Sequence, residues 1–271
     1  MPLTDLLAAQ AVWARRRWPD HVGKRAPSLD ENLICPLSTE ARREFEAGSG
    51  GEIGRNGAPG KMSSLRSSSA LSYNVFQPWR GHNMKPLATA LKAIVRSQDL
   101  RFERKFHHGL PSTPPNLDVV LDIDQPRPLG VECKFTEPYG RKREHPPLDM
   151  KYFTGDRNRW VEVHLPRAQV LASTVGKTIQ FKRLAVGQLL KHLLGLATTT
   201  QEPPRLRYVW FDTGCIEASE HRTELSRFET HLDSGVDFVA LTYQELMAAL
   251  RIAPEPIDGY RSYLNERYFA A

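Results

Sequence analysis

Apolar and polar positions alternate with a period of two along two neighbouring stretches of the chain. Leu117, Val119, Leu121 and Ile123 alternate with Asp118, Val120, Asp122 and Asp124, and Val131, Cys133 and Phe135 alternate with Glu132, Lys134 and Thr136. That period predicts two β-strands, each with one apolar and one polar face, joined by a Pro-rich turn. Residues 101–107 alternate as well, with Phe102 and Phe106 on one side and Glu103, Lys105 and His107 on the other. Helical spacing governs elsewhere. Residues 4–17, 38–47 and 68–76 read as helices, and Leu87, Ala90, Leu91, Ile94 and Val95 form a stripe that predicts a helix over 86–100, with Pro86 in its first turn. Residues 178–196 are apolar nearly all round, as expected of a helix buried on more than one side. Gln188 and His192 lie one turn apart on it and want partners. Further strands are expected at 205–212 and 237–241, and further helices at 221–232, 244–250 and the C-terminus.

Composition narrows the class. A chain of 271 residues, 40% hydrophobic and 25% charged, can bury a sizeable core. No apolar run approaches the roughly 18 residues of a membrane span. The first basic cluster follows the apolar part of the N-terminus, the reverse of a signal peptide. Cys35, Cys133 and Cys215 are far apart and form no C-x-x-C pair, which argues against a disulfide framework or zinc knuckle and for a cytoplasmic location.

Charge placement says more than charge. The net charge of +6 admits a polyanionic partner without requiring one. Residues 137–183, however, hold ten Lys or Arg against five acids, most of the chain's surplus. Arg141, Lys142, Arg143, Arg157 and Arg159 are the expected nucleic-acid contacts in this basic arm. Tyr139, Tyr152, Phe153 and Trp160 are interleaved with them, and packing is the commoner use of such residues than stacking on bases.

The polar faces of the two strands carry the candidate chemistry. Asp118 and Glu132 on adjacent strands can converge on one Mg²⁺, a hard cation that needs only one or two carboxylates. Mn²⁺ is the alternative ion. Cys133 turns its side chain to the core and can offer its carbonyl. Lys134 shares the face of Glu132 and can orient an attacking water and stabilise negative charge. Glu52, Glu103 and Asp122 compete as a further acid, Asp122 because it shares the polar face of Asp118. The Gly-rich loop 48–60 is not a phosphate cradle of the Walker type, since five residues separate Gly54 from Gly60 and Met62 follows Lys61. His107 and His108 are adjacent and diverge on a strand, so no His-rich ligand set is expected.

Asp118, followed on the next strand by Glu132-Cys133-Lys134, resembles the PD-(D/E)XK nuclease superfamily, and Gln188 is similar to the helix glutamine of several of its branches. The segments GSGGE, SSSALSYNVF and QLLKHLLGL look like a bacterial restriction-endonuclease branch. The resemblance implies an α/β fold with a restriction-endonuclease-like αβββαβ core over roughly residues 86–242, a central mixed sheet flanked by helices. It implies a single nuclease-like domain over 1–271, with an N-terminal helical and Gly-rich extension at 1–80 and a basic insertion at 137–178. It further implies an Mg²⁺-dependent DNA endonuclease with Asp118, Glu132, Lys134 and Gln188 as catalytic residues; RNA stays open as a substrate, and a homodimer would suit double-strand cutting. Two departures stand out: Leu117 precedes Asp118 in place of Pro, and the helix at 86–98 has no Glu. The competing expectations are a non-catalytic nucleic-acid-binding module on the same fold and an ordinary half-exposed hairpin.

Overall fold

The computed structural model describes residues 2–20, 23–48, 51–55, 57–110, 112–140, 146–153 and 158–269. The chain begins with α1 (Leu3–Arg17), α2 (Thr39–Ala47), a small hairpin of β1 (Gly54–Arg55) and β2 (Ala58–Pro59), α3 (Ser68–Phe76) and α4 (Lys85–Ala90). Ser38 and Ser67 start α2 and α3 by accepting the N–H groups of Ala41 and Ala70 at 3.1 and 3.2 Å. Then come β3 (Leu100–Lys105), β4 (Asn116–Leu121), β5 (Leu129–Lys134), α5 (Arg159–Glu162), α6 (Pro166–Thr174) and α7 (Val186–Thr200). The order closes with β6 (Arg205–Trp210), α8 (Ile216–Glu229), β7 (Asp237–Thr242), α9 (Tyr243–Leu250) and α10 (Tyr260–Leu264).

Among the described residues the main sheet has five strands in the order β3-β4-β5-β6-β7. The first two pairings are antiparallel and the last two parallel, with α7 and α8 as the crossovers that parallel neighbours require. Helices flank both faces. On one, Val119, Val131 and Cys133 share a core with Phe45, Tyr73 and Leu246 of α2, α3 and α9. On the other, Val120, Tyr208 and Trp210 share a core with Trp160, Leu171, Leu190 and Phe228 of α5 to α8. This is an α/β fold with a mixed central sheet, and α4-β3-β4-β5-α7-β6 reproduces the expected αβββαβ order. No helix among the described residues is long and apolar enough to cross a membrane.

Four local expectations need correction. First, the competing expectation of a half-exposed hairpin does not hold for β5; every residue but the half-buried Lys134 is buried, because the strand is central and covered on both sides. Second, Phe102 and Phe106 lie in different cores, and Leu117 joins the core of Val120, not that of Val119. Glu103 has φ +54°, and this left-handed residue breaks the period-two alternation opposite Asp118. Third, α4 stops at Ala90, where the stripe predicted a helix to 100. Lys92 has φ +51°, and tertiary partners take the backbone groups that a helix would use: Arg207 donates to the carbonyls of Leu91 and Lys92 at 2.7 and 2.9 Å. Asp122 accepts the N–H groups of Arg96 and Ser97, both at 2.7 Å.

Fourth, α7 begins at Val186, well inside the helix predicted from 178. The Glu224 carboxylate accepts three consecutive N–H groups, from Lys182, Arg183 and Leu184, at 2.6, 2.8 and 2.8 Å. Such a nest holds the backbone out of helical conformation. The basic insertion also carries structure of its own in α5 and α6. Its aromatic residues pack: Trp160 is fully buried and donates through Nε1 to the Leu190 carbonyl at 3.0 Å, Tyr152 is buried beside it, and Tyr139 is buried in the same core.

Candidate active site

The β4–β5 ladder ends at the pair Val119↔Val131, and the next residues along, Asp118 and Glu132, stand where the two strands part. Asp118 fills the gap with its side chain. Its Oδ2 accepts the Cys133 N–H at 2.6 Å, in place of the backbone acceptor that a continued ladder would offer. Glu132 is fully buried, and its Oε1 accepts from Lys134 Nζ. Lys134 Nζ also donates to Gln188 Oε1 at 3.3 Å. His192, one turn further along α7, brings Nε2 to 3.0 Å from Glu132 Oε2. That approach lies outside hydrogen-bonding geometry, so the buried Oε2 has no formed hydrogen bond. Thus β4, β5 and α7 converge their polar side chains on one point at the open end of the ladder.

The charges are strongly interdependent. Burial alone would raise the Glu132 carboxyl, but Lys134 and then His192 outweigh it and hold the group down at about 2. Asp118 moves the other way: burial, then the neighbouring Glu132 charge, push it well above the usual carboxylate range, with Lys134 opposing. Burial would lower the Lys134 ammonium, yet Glu132 and Asp118 hold it well above its usual value and so keep it charged.

Glu103 and Glu52 extend the acidic chain. Burial raises Glu103 to about 7; the Asn116 amide opposes this, and the charges of Glu52 and Glu132 add to it. Asn116 Nδ2 donates to Glu103 Oε2 at 2.5 Å. Glu52 is buried in the Gly-rich loop, with Lys61 Nζ 3.7 Å away. Gly48 lies tight against the same cluster: a Cβ there would stand 2.9 Å from Glu103 Oε2.

Asp122 is not brought to the site. It sits past the far end of β4, buried, with φ +54°, holding the backbone of Arg96 and Ser97 and facing Arg205 at 3.7 Å. The alternation that seemed to place it beside Asp118 is broken by its own left-handed turn. Cys133 buries its side chain in the core on the α2–α3 side and gives its N–H to Asp118. Its carbonyl lies on the same strand edge as that N–H, beyond the last ladder pair. Among the described residues, no group of three or more His, Cys, Asp or Glu side chains is arranged to hold a metal.

Arg141, Lys142, Arg143 and Arg157 lie outside the described residues. Arg159 is half-buried and donates to the Gly109 carbonyl at 3.4 Å. His192 and Tyr208 complete the surroundings of Glu132. The i, i+4 spacing of Gln188 and His192 was the available signal for the first. Nothing in the pattern of β6 marked Tyr208, which pairs in register with Glu132 and is buried against it.

No curated protein and no solved structure matches the chain. A family model described as Restriction Endonuclease associating with ARP matches residues 7–269, nearly the whole chain, and the chain belongs to that restriction-endonuclease family.

Proposed function

We propose that the protein is a metal-dependent endonuclease that hydrolyses phosphodiester bonds of DNA. The observation that carries this reading is the meeting of Asp118, Glu132, Lys134 and Gln188 where the β4–β5 ladder ends. Asp118 and Glu132 would hold Mg²⁺, or Mn²⁺ in its place, with the Cys133 carbonyl as a further oxygen donor. The donor set suits a hard cation: it offers oxygens only, and Glu132 Oε2 is a buried oxygen without a formed hydrogen bond. A bound divalent cation supplies charge neutralisation at the phosphate and acidifies its water.

The protein's own groups account for the rest. Lys134 is held charged, so it does not act as a base; it orients the attacking water and donates to the developing oxyanion. Gln188 Oε1 fixes the direction of that ammonium. Glu132 stays ionised between Lys134 and His192, and Asp118, whose carboxyl burial and then Glu132 hold above the usual range, would be favoured in its ionised form by a cation bound beside the pair. The family description names association with ARP, and we extend that association to this chain as part of the same proposal.

The test is conversion of supercoiled plasmid to nicked or linear DNA in Mg²⁺, in Mn²⁺ and in EDTA. Cleavage is expected with either ion and absent in EDTA, and Asp118→Asn and Lys134→Ala should each abolish it. Cleavage that persists in both variants would sink the mechanism.

A further inference from the structure

A cleft of about 710 Å³, the size of a small-molecule site, lies at the opposite end of the strands from the candidate active site. One wall comes from residues 92–96, between α4 and β3, and the other from the turn 122–127, between β4 and β5. Arg205 and Asp237, the first residues of β6 and β7, close the bottom. Asp122 at this end and Asp118 at the other are four residues apart, roughly 13 Å of strand. Every lining segment and its flanks fall within the described residues.

The walls are fixed from behind. Arg205 ties them together, donating through Nη2 to the Ile94 carbonyl at 2.6 Å and through Nη1 to the Arg127 carbonyl at 3.0 Å. Asp122 and Arg207 hold the backbone of residues 91–97, and these bonds keep the left-handed conformations of Lys92 and Asp122 in place. The anchoring charges match one another: Arg205 faces Asp122 at 3.7 Å and Asp237 at 3.4 Å, and Arg207 meets Asp237 at 2.8 Å. Lys92, Arg96 and Arg127 stand in front of that balanced set, and none of them forms an ion pair with a described acid. Arg127 gives Nε and Nη2 to the Pro203 carbonyl at 3.2 and 3.0 Å, while the side chains of Lys92 and Arg96 are exposed and make no hydrogen bond among the described residues. The acid that Lys92 senses, Glu245, uses its Oε2 on the N–H and hydroxyl of Thr242 at 2.6 and 2.9 Å. Ile94, 78% exposed, and Pro126 add apolar surface to the same cleft. A concave site bordered by cations concentrates anions, and its apolar part favours a ligand with a body as well as a charge.

We propose that this cleft binds a phosphorylated small molecule of nucleotide size, with Lys92, Arg96 and Arg127 on its phosphates and its apolar body against Ile94 and Pro126. The site is independent of the endonuclease reading. It sits at the start of β5, whereas the basic arm leaves from the end of that strand, so a nucleic acid held by the arm at the candidate active site has no need to reach it. The walls are ordered before the ligand arrives, which spares binding the cost of arranging them.

The experiment is isothermal titration calorimetry in EDTA with ADP, inorganic pyrophosphate and a short DNA duplex as probes. ADP should bind the unaltered protein with Kd below about 1 mM, and more tightly than pyrophosphate. Lys92→Gln/Arg96→Gln should weaken ADP by about tenfold or more, the usual effect of losing hydrogen bonds from charged donors, and leave the affinity for the duplex unaltered. Lys92→Arg/Arg96→Lys, which keeps both charges, should recover most of the ADP affinity. Neither substituted side chain is hydrogen-bonded, so the ligand-free melting temperature should be the same in all three proteins. No heat from ADP at concentrations up to about 10 mM overturns the proposal, as does ADP affinity that the Gln variant leaves intact. Pyrophosphate binding as tightly as ADP removes the apolar body from it, and duplex affinity that falls in the Gln variant makes the cleft a nucleic-acid contact instead.

Discussion

His192 Nε2 stands 3.0 Å from Glu132 Oε2, with both residues almost wholly shielded from solvent. The contact ties α7 to the central strand at the one carboxylate that Lys134 also holds. Removing the imidazole leaves a buried charge with a single partner and a cavity beside it. His192→Ala should therefore lower stability by about 2–4 kcal/mol. Urea denaturation in EDTA reads this directly, and a variant as stable as the parent would show that the pairing contributes nothing.

Gln188 tests the positioning of Lys134 separately. Its Oε1 accepts from a charged donor at 3.3 Å, and a hydrogen bond to a charged group is worth about 1.5–3 kcal/mol. Gln188→Ala should lower kcat by roughly ten- to a hundredfold and leave KM for DNA nearly unaltered. A rise in KM with unaltered kcat would place Gln188 in substrate binding instead.

Glu103 gives the pH dependence. Its carboxyl titrates near 7 in the fold against 4.5 as the ordinary value, so between those pH values the folded chain holds a proton that the unfolded chain releases. Stability due to this group therefore falls as pH rises through that window and is lowest above it. Glu103→Gln should flatten the slope and stabilise the metal-free protein at pH 8, relative to the parent, by on the order of 1–3 kcal/mol. Denaturation midpoints at pH 5 and pH 8 measure the difference; an equal gap at both pH values contradicts it.

Glu224 tests why α7 starts where it does. Its carboxylate takes three N–H groups in a row, and Leu184 among them is fully buried. Glu224→Ala should cost about 1–3 kcal/mol, mainly for the buried donor left unsatisfied. Amide hydrogen exchange should speed up at residues 182–184 well before it does in the body of α7.

Much of the fold was legible because local pattern and final structure agree. The helices at 38–47 and 68–76, the apolar runs of β4 to β7 and the order of elements each depend on neighbours in sequence. The misreadings share a cause. At Glu103, Asp122, Lys92 and residues 182–184 the backbone leaves regular structure. At Lys92, Asp122 and residues 182–184, distant partners settle the local backbone: Arg207 for Leu91 and Lys92, Arg96 and Ser97 for Asp122, Glu224 for the start of α7. Those partners lie too far along the chain to be read from spacing.

The site divides in the same way. The sequence alone determined which residues of β5 are the candidates for the proposed chemistry, since Glu132 and Lys134 share a face by the period of two, and it placed Gln188 and His192 on one face of a helix. It also put the basic residues after β5. Only the tertiary structure decided that α7 docks that face over Glu132 and Lys134, that Asp118 turns into the gap at the ladder's end, and that Glu103 joins the cluster while Asp122 leaves it. The reason is physical. Periodicity records which way a side chain points from its own element, whereas the charge state and partners of a buried carboxylate depend on every element packed around it.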